Sequence, residues 1–251
     1  MTRKLGLIDT PTIDARTLYA SKYFTSDLPQ PPESLSWSAG MPEDLGMLGN
    51  DEVGNCAEAM VLHGIEVDRF RNGESITFDT SAAKAFYSDV TGYNPADPTT
   101  DRGTDLLALM RYMVRTGFAG HTYGAFVSLL SGGAVSVDTV KIALDLFGPL
   151  LVGAKLHATA EADFDAGRPW SDTTGPIIGR HAFLPVGFDA NGLIVVTWGR
   201  LQRATWPWVV ARVDEAFAKV SRDWCDGTKP APSGFALAQL QADLAEIGAA
   251  A

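Results

Sequence analysis

The feature that most constrains this chain is a change in hydrophobic period at Gly148-Pro149. Before it, apolar residues recur at helical spacing. In residues 56–70, Ala57, Met60, Val61 and Ile65 define one helix, with Asn72-Gly73 as a stop. Residues 80–90 and 104–116 predict two more helices, the second ending at Gly117, with the polar, Pro-containing loop 94–102 between them. Residues 138–147 predict a fourth, capped by Ser136 or Asp138. After Gly148-Pro149 the apolar runs shorten: 150–154, 182–188 and 193–198 read as strands, the last two as a hairpin around Asp189-Ala190-Asn191-Gly192. A mainly helical half followed by a strand-rich half implies an α+β fold, two lobes with a cleft between them.

With 251 residues, 46% of them hydrophobic, the chain can bury a core of ordinary size. The expected organisation is an N-terminal extension (1–27), a body (28–220; helical lobe about 28–135, β-rich lobe about 136–220) and a C-terminal extension (221–251). Residues 28–33, Leu-Pro-Gln-Pro-Pro-Glu, form an extended, helix-breaking entry to the body. In 234–244, Leu237, Leu240 and Leu244 share one helical face, suited to docking on the body or to binding a protein partner. A net charge near −10 without a local basic patch argues against nucleic acid and anionic lipid as partners. Asp9 and Asp14 interrupt the start before a signal peptide can form, and no apolar run approaches the ~20 residues of a membrane span. A soluble, cytoplasmic protein without an encoded secretion route is the expectation.

Only two cysteines occur, so no disulfide framework exists, and no His or Cys pairs fall at metal-ligand spacing; no cofactor or metal is expected. Cys225, beside Trp224, reads as a small buried hydrophobe. Cys56 differs because it opens the first helix, behind Asn55 as N-cap and with Glu58 completing a capping-box-like pair. At that position, free N–H groups and the positive end of the helix dipole favour thiolate over thiol, with Glu58 working weakly against it. Among four histidines, His63 lies on the same helix and His121 and His157 sit in ordinary contexts. His181 opens an apolar strand directly after Gly179-Arg180, where its ring can project into a cleft. A Cys-His pair so placed forms the thiolate-imidazolium couple of acyl transfer. The run 161–165 carries three carboxylates around Phe164; it reads as an acidic surface loop, able to select basic side chains if it flanks the cleft.

Gly54-Asn55-Cys56-Ala57 resembles the nucleophile segment of papain-like cysteine peptidases, and 181–188, His-Ala-Phe-Leu-Pro-Val-Gly-Phe, resembles their histidine segment. Thr197-Trp198-Gly199 is similar to the end of their Asn-Ser-Trp-Gly motif. Leu28-Pro29 to Trp37, Arg102-Gly103 with the helix behind it, and Phe147-Gly148-Pro149-Leu150 resemble further segments in the family's order, and Gly49-Asn50-Asp51 with Val196-Thr197-Trp198-Gly199 is similar to papain-like proteins of bacteria and phages. The resemblance implies Cys56 as nucleophile, His181 as base and Asn50, in place of the family's Gln, as oxyanion donor. It also implies Gly103 as a backbone partner of an extended peptide or protein substrate, and Trp198 as a shield of the histidine that also borders the substrate.

Departures are clear. Alignment on Trp198 puts Val196 where the family has its His-orienting Asn; counting from His181 puts Thr197 there, and only Thr197 can accept a hydrogen bond. Ala57 replaces a Trp, the family's disulfides are missing, and the N-terminal extension is short for an inhibitory propeptide. Three functions stay open: a cysteine peptidase acting on peptide or isopeptide bonds, a papain-fold binding or structural module such as a phage virion or assembly component, and a small-molecule amidase or transglutaminase-like enzyme.

Overall fold

The computed structural model describes residues 3–8 and 30–224. Cys225, Leu28-Pro29 and the amphipathic stretch 234–244 lie outside the described residues. After a two-residue strand β1 (Leu35–Ser36) come three helices, α1 (Cys56–Arg71), α2 (Thr80–Thr91) and α3 (Leu106–Arg115). Then follow β2 (Tyr123–Ser128), α4 (Val137–Phe147), β3 (Leu151–His157), α5 (Ala160–Asp165), β4 (Ile177–Phe188), β5 (Gly192–Thr197), β6 (Arg200–Thr205), α6 (Trp206–Arg212) and β7 (Val213–Ser221). The class is α+β, as expected.

Local chemistry sets the helix ends. Asp79, Asp105 and Ser136 accept the N–H groups of Ala82, Ala108 and Thr139, and Gly92 closes α2 at φ 76°. The cap of α1 corrects the sequence reading. Asn55 makes no capping bond; its amide donates to the Leu48 carbonyl at 2.8 Å, tying down the loop before the helix. Glu58 turns away to the Thr104 hydroxyl, at 2.8 and 3.1 Å, so there is no capping box.

The sheet is antiparallel, in the order β2-β7-β3-β4-β5-β6, with β1 also on β4. The strand-rich character begins earlier than Gly148-Pro149, because β2 pairs with β7. The long strand β4 pairs with β3 over Ile177–Phe183 and with β5 over Leu184–Phe188, the second ladder carrying an irregularity between Pro185 and Gly187. Its alternation divides the core: Ala182, Leu184 and Val186 join the cluster under α1–α3, whereas Phe183 joins Trp170, Trp208 and α4, as does Phe188 beyond the irregularity that shifts the alternation by one. Helix α1 lies against β4 and is buried without a break from Cys56 to Asp68. Gly64 allows this, since a Cβ there would meet Leu184 Cδ1 at 3.3 Å.

A buried ion pair ties α1 to the sheet: Lys219 Nζ donates to Asp68 Oδ2 at 2.7 Å, both side chains fully inaccessible. Removing one partner strands a charge away from water. Asp68→Ala is expected to lower unfolding free energy by about 3–5 kcal/mol in urea titration, and Asp68→Leu with Lys219→Met to recover most of it.

Candidate active site

The N-terminus of α1 meets β4 at the junction of the two core clusters. There, the Ala182 N–H donates to Cys56 Sγ at 3.3 Å. Cys56, His181, Asn50, Thr197 and Trp198 line one cavity, together with Met47, Ala59, Met60, His63, Ala182 and Val196. Sequence reasoning gave His63 no place here; its Nδ1 lies 3.0 Å from Glu66, which makes it a buried pair on the cavity wall.

His181 is not at a strand end. β4 begins four residues earlier, at Ile177, and His181 pairs with Ala154 of β3, so its backbone is fixed within the ladder. Its Nε2 lies 2.8 Å from Thr197 Oγ1, while Nδ1 is buried with no hydrogen-bond partner among the described residues. The structure therefore puts Thr197, not Val196, against the ring.

Trp198 stacks on His181, centroids 4.7 Å apart with planes at 28°. The stack follows from a two-residue hairpin turn, Trp198-Gly199, closing the Thr197–Arg200 pair of β5 and β6 with φ of 47° and 76°. Positive φ at both central residues belongs to the type I′ turn, where Asn-Gly is usual. A bulky residue there costs of order 1–3 kcal/mol, a strain found mostly at functional sites.

The cleft is filled by the chain's own residues 3–8. The Lys4 N–H donates to the Asn50 carbonyl at 2.9 Å, and Asn50 Nδ2 donates to the Lys4 carbonyl at 3.0 Å. Next, the Gly6 N–H donates to Cys56 Sγ, and the Gly6 carbonyl accepts from the Thr104 N–H at 2.7 Å. Leu7 and Thr104 form a parallel bridge, with Ile8 N–H on the Thr104 carbonyl at 3.3 Å. Gly6 occupies a slot between glycines: a Cβ on it would fall 1.9 Å from the Gly54 carbonyl oxygen, and a Cβ on Gly103 would fall 2.5 Å from that of Gly6. The body thus begins ahead of residue 28 as well as after it.

Gly103 corrects the expectation in one respect. Its N–H is taken by the Tyr87 hydroxyl at 2.8 Å, so the strand-like pairing runs through Thr104, and Gly103 contributes the absence of a side chain. Tyr87 in turn donates to Asp101 Oδ1 at 2.9 Å, which accepts the Gly54 N–H at 2.9 Å. This bridge fixes the slot width. Neither Tyr87 nor Asp101 carries a sequence signal beyond lying near glycines.

Occlusion reverses the expected charge state. Burial pushes the Cys56 thiol up to about 12; the N–H groups of Ala182, Gly6 and Ala57 oppose it, and Glu58 adds to it. Burial also pushes His181 down to about 3, with the Arg3 charge contributing. Glu58, next to the thiol, is raised by burial to about 7 against the Thr104 hydroxyl. The helix dipole is present, but desolvation of a covered thiol outweighs it. The covered pair is neutral, thiol and imidazole.

Fold and site together define a papain-like architecture: a cysteine at the head of a central helix, facing a histidine on an antiparallel sheet. No family model matches the chain, and no curated protein does. Solved structures do. Xylellain, a cysteine protease from Xylella fastidiosa, superposes with a TM-score of 0.61 at 12% identity, covering 88% of this chain and 98% of that one. Procathepsin B S9 from Trypanosoma congolense gives 0.57 at 13% identity, over 87% of each chain. Digestive procathepsin L 3 from the Tenebrio molitor larval midgut gives 0.56 at 13%, over 87% and 76%. The chain has the papain-like fold. Among the described residues, no helix is long and apolar enough to cross a membrane.

The covered state is linked to pH. An opened site with an ordinary imidazole (6.5) binds a proton that the closed site, at about 3, excludes. The His181 contribution to closure is therefore fully present above pH 6.5 and weakens as pH falls toward 3, while Glu58, raised from 4.5 to about 7, works in the opposite sense between those two values. In a Glu58→Gln chain, which removes the opposing carboxyl, hydrogen exchange should show protection of the Gly6 and Ile8 amides, corrected for intrinsic rates, falling by roughly tenfold per pH unit from about 6 to 4. Flat protection across that range would contradict the linkage.

Proposed function

We propose that the chain is a cysteine peptidase of papain type, held latent by residues 3–8 and acting on peptide or isopeptide bonds in extended segments. The observation that carries this reading is that a peptide already lies in the cleft, with the Lys4 carbonyl on the Asn50 amide and the Gly6 amide on Cys56 Sγ. Once the segment leaves, water re-enters and the desolvation that holds Cys56 and His181 neutral is relieved. His181 Nδ1 takes the thiol proton, and Thr197 holds the ring through Nε2. The thiolate adds to a substrate carbonyl, whose oxyanion accepts from Asn50 Nδ2 and the Cys56 N–H. The imidazolium protonates the leaving amine, and water resolves the acyl-enzyme by the same route.

Thr197 supplies one hydroxyl where the papain-like motif has an Asn amide. It holds the imidazole from one side, while Trp198 covers its face. Cys56→Ala and His181→Ala are expected to abolish peptide turnover with the fold intact by circular dichroism. Thr197→Ala should lower kcat by roughly 10-fold or more, with KM little changed, and Asn50→Ala by about 10²–10³-fold. Turnover surviving in Cys56→Ala would remove the reading.

Gly6→Ala places a methyl group against the Gly54 carbonyl and should expel the segment. Mass spectrometry after iodoacetamide treatment at neutral pH is expected to show at least about 10-fold faster Cys56 alkylation than in the wild-type chain, a gain lost on adding His181→Ala. A papain fold kept only for binding would instead expose a thiol of ordinary reactivity, indifferent to His181.

A further inference from the structure

The end of the bound segment marks a second recognition element. The Arg3 side chain is only 4% exposed, although Asp165 beside it is 57% exposed. Its guanidinium lies over two aromatic rings, 4.7 Å from the Phe164 centroid and 4.8 Å from that of Trp198. Asp165 receives both terminal nitrogens, at 2.5 and 3.2 Å, and Glu161 lies 3.8 Å from one of them. Nε is buried without a partner among the described residues. Planar stacking combined with a forked bond to a carboxylate suits arginine's shape and charge, and an ammonium would satisfy only part of it.

The pocket is continuous with the candidate active site. Trp198 forms one wall and also stacks on His181, and Arg3 immediately precedes the residue whose carbonyl lies on Asn50. Phe164 and Trp198 are themselves packed edge to face at 5.0 Å, so the walls belong to the folded body rather than to the segment. When residues 3–8 leave, Glu161 and Asp165 remain at the mouth, facing the single positive charge of Arg200, which packs 4.6 Å from the Phe164 centroid. The vacated pocket is then net negative and aromatic.

We propose that Phe164, Trp198, Asp165 and Glu161 form a substrate subsite selective for an arginine side chain, which Arg3 fills in the latent chain. The proposal rests on the cleft being a peptidase site, but binding to the pocket is measurable without turnover. Substrates of this enzyme then carry arginine next to the segment lying over Cys56, and arginine-containing peptides compete with residues 3–8 for the cleft.

The test uses the full chain with Arg3→Ala, titrated calorimetrically with Nα-acetyl-arginine amide and with Nα-acetyl-norleucine amide. The arginine probe is expected to bind at least tenfold more tightly than the norleucine probe, and at least tenfold more tightly than to the wild-type chain. Adding Asp165→Asn should weaken it at least fivefold. Equal affinity for the two probes, or binding unaffected by Asp165→Asn, overturns the subsite.

Should Arg3→Ala misfold, the wild-type chain provides the second readout. Saturating arginine probe displaces Arg3 and speeds Cys56 alkylation at least threefold, while the norleucine probe does not; equal effects overturn the proposal. Selective arginine binding without cleavage of any arginine-containing peptide leaves the subsite standing and removes the peptidase reading. Cleavage indifferent to arginine does the reverse.

Discussion

The approach of α1 to β4 is the contact on which the site depends. Gly64 lets the helix lie on Leu184, the Lys219–Asp68 pair fixes its far end against β7, and the Ala182 N–H reaches Cys56 Sγ at its head. Three contacts along one helix thus set where the thiol stands relative to the strand that carries His181. A shift of the helix along its axis would have to break a buried ion pair and fill or void tightly packed space, both costly in a protein interior. Rigidity at the scale of a few tenths of an ångström is what proton transfer between two side chains requires.

Around that fixed frame, the loops divide the remaining work. The loop before α1 brings Gly54 and Asn50, the loop before α3 brings Gly103 and Thr104, and Tyr87 with Asp101 holds the two at a separation that accepts bare backbone. On the other side, the β5–β6 turn brings Trp198 and short helix α5 brings Phe164 and the carboxylates. Each wall has one rigid attachment to the body, and residues 3–8 bridge both.

Much of this was legible in the sequence. Helix α1 could be placed because its apolar period is undisturbed and Asn72-Gly73 stops it; Cys56 at its head followed directly, and the hairpin of β4 and β5 was marked by Asp189-Ala190-Asn191-Gly192. His181 was read as opening its strand but lies inside it, because Ile177 to Arg180 lack the unbroken apolar run that marks a strand. The capping box at Asn55 and Glu58 failed since both side chains found tertiary partners, Leu48 and Thr104, which no local pattern encodes. The choice between Val196 and Thr197 needed the strand register, and the thiol's raised pKa needed the cover provided by residues more than forty positions away. Strands β2, β6 and β7 went unread because they are short or carry charged residues between apolar ones, and their pairing is long-range.

That the cover is residues 3–8 also fixes an order in time. These residues leave the ribosome ahead of α1 and, at about 5–20 residues per second, some 10–30 s ahead of the strand bearing His181. The ligand is therefore already present when the two halves of the cleft first meet, and Gly6 can be sandwiched between Gly54 and Gly103 as they close. Folding and sealing can then be a single event, in which the nascent polypeptide carries its own template for the cavity it fills.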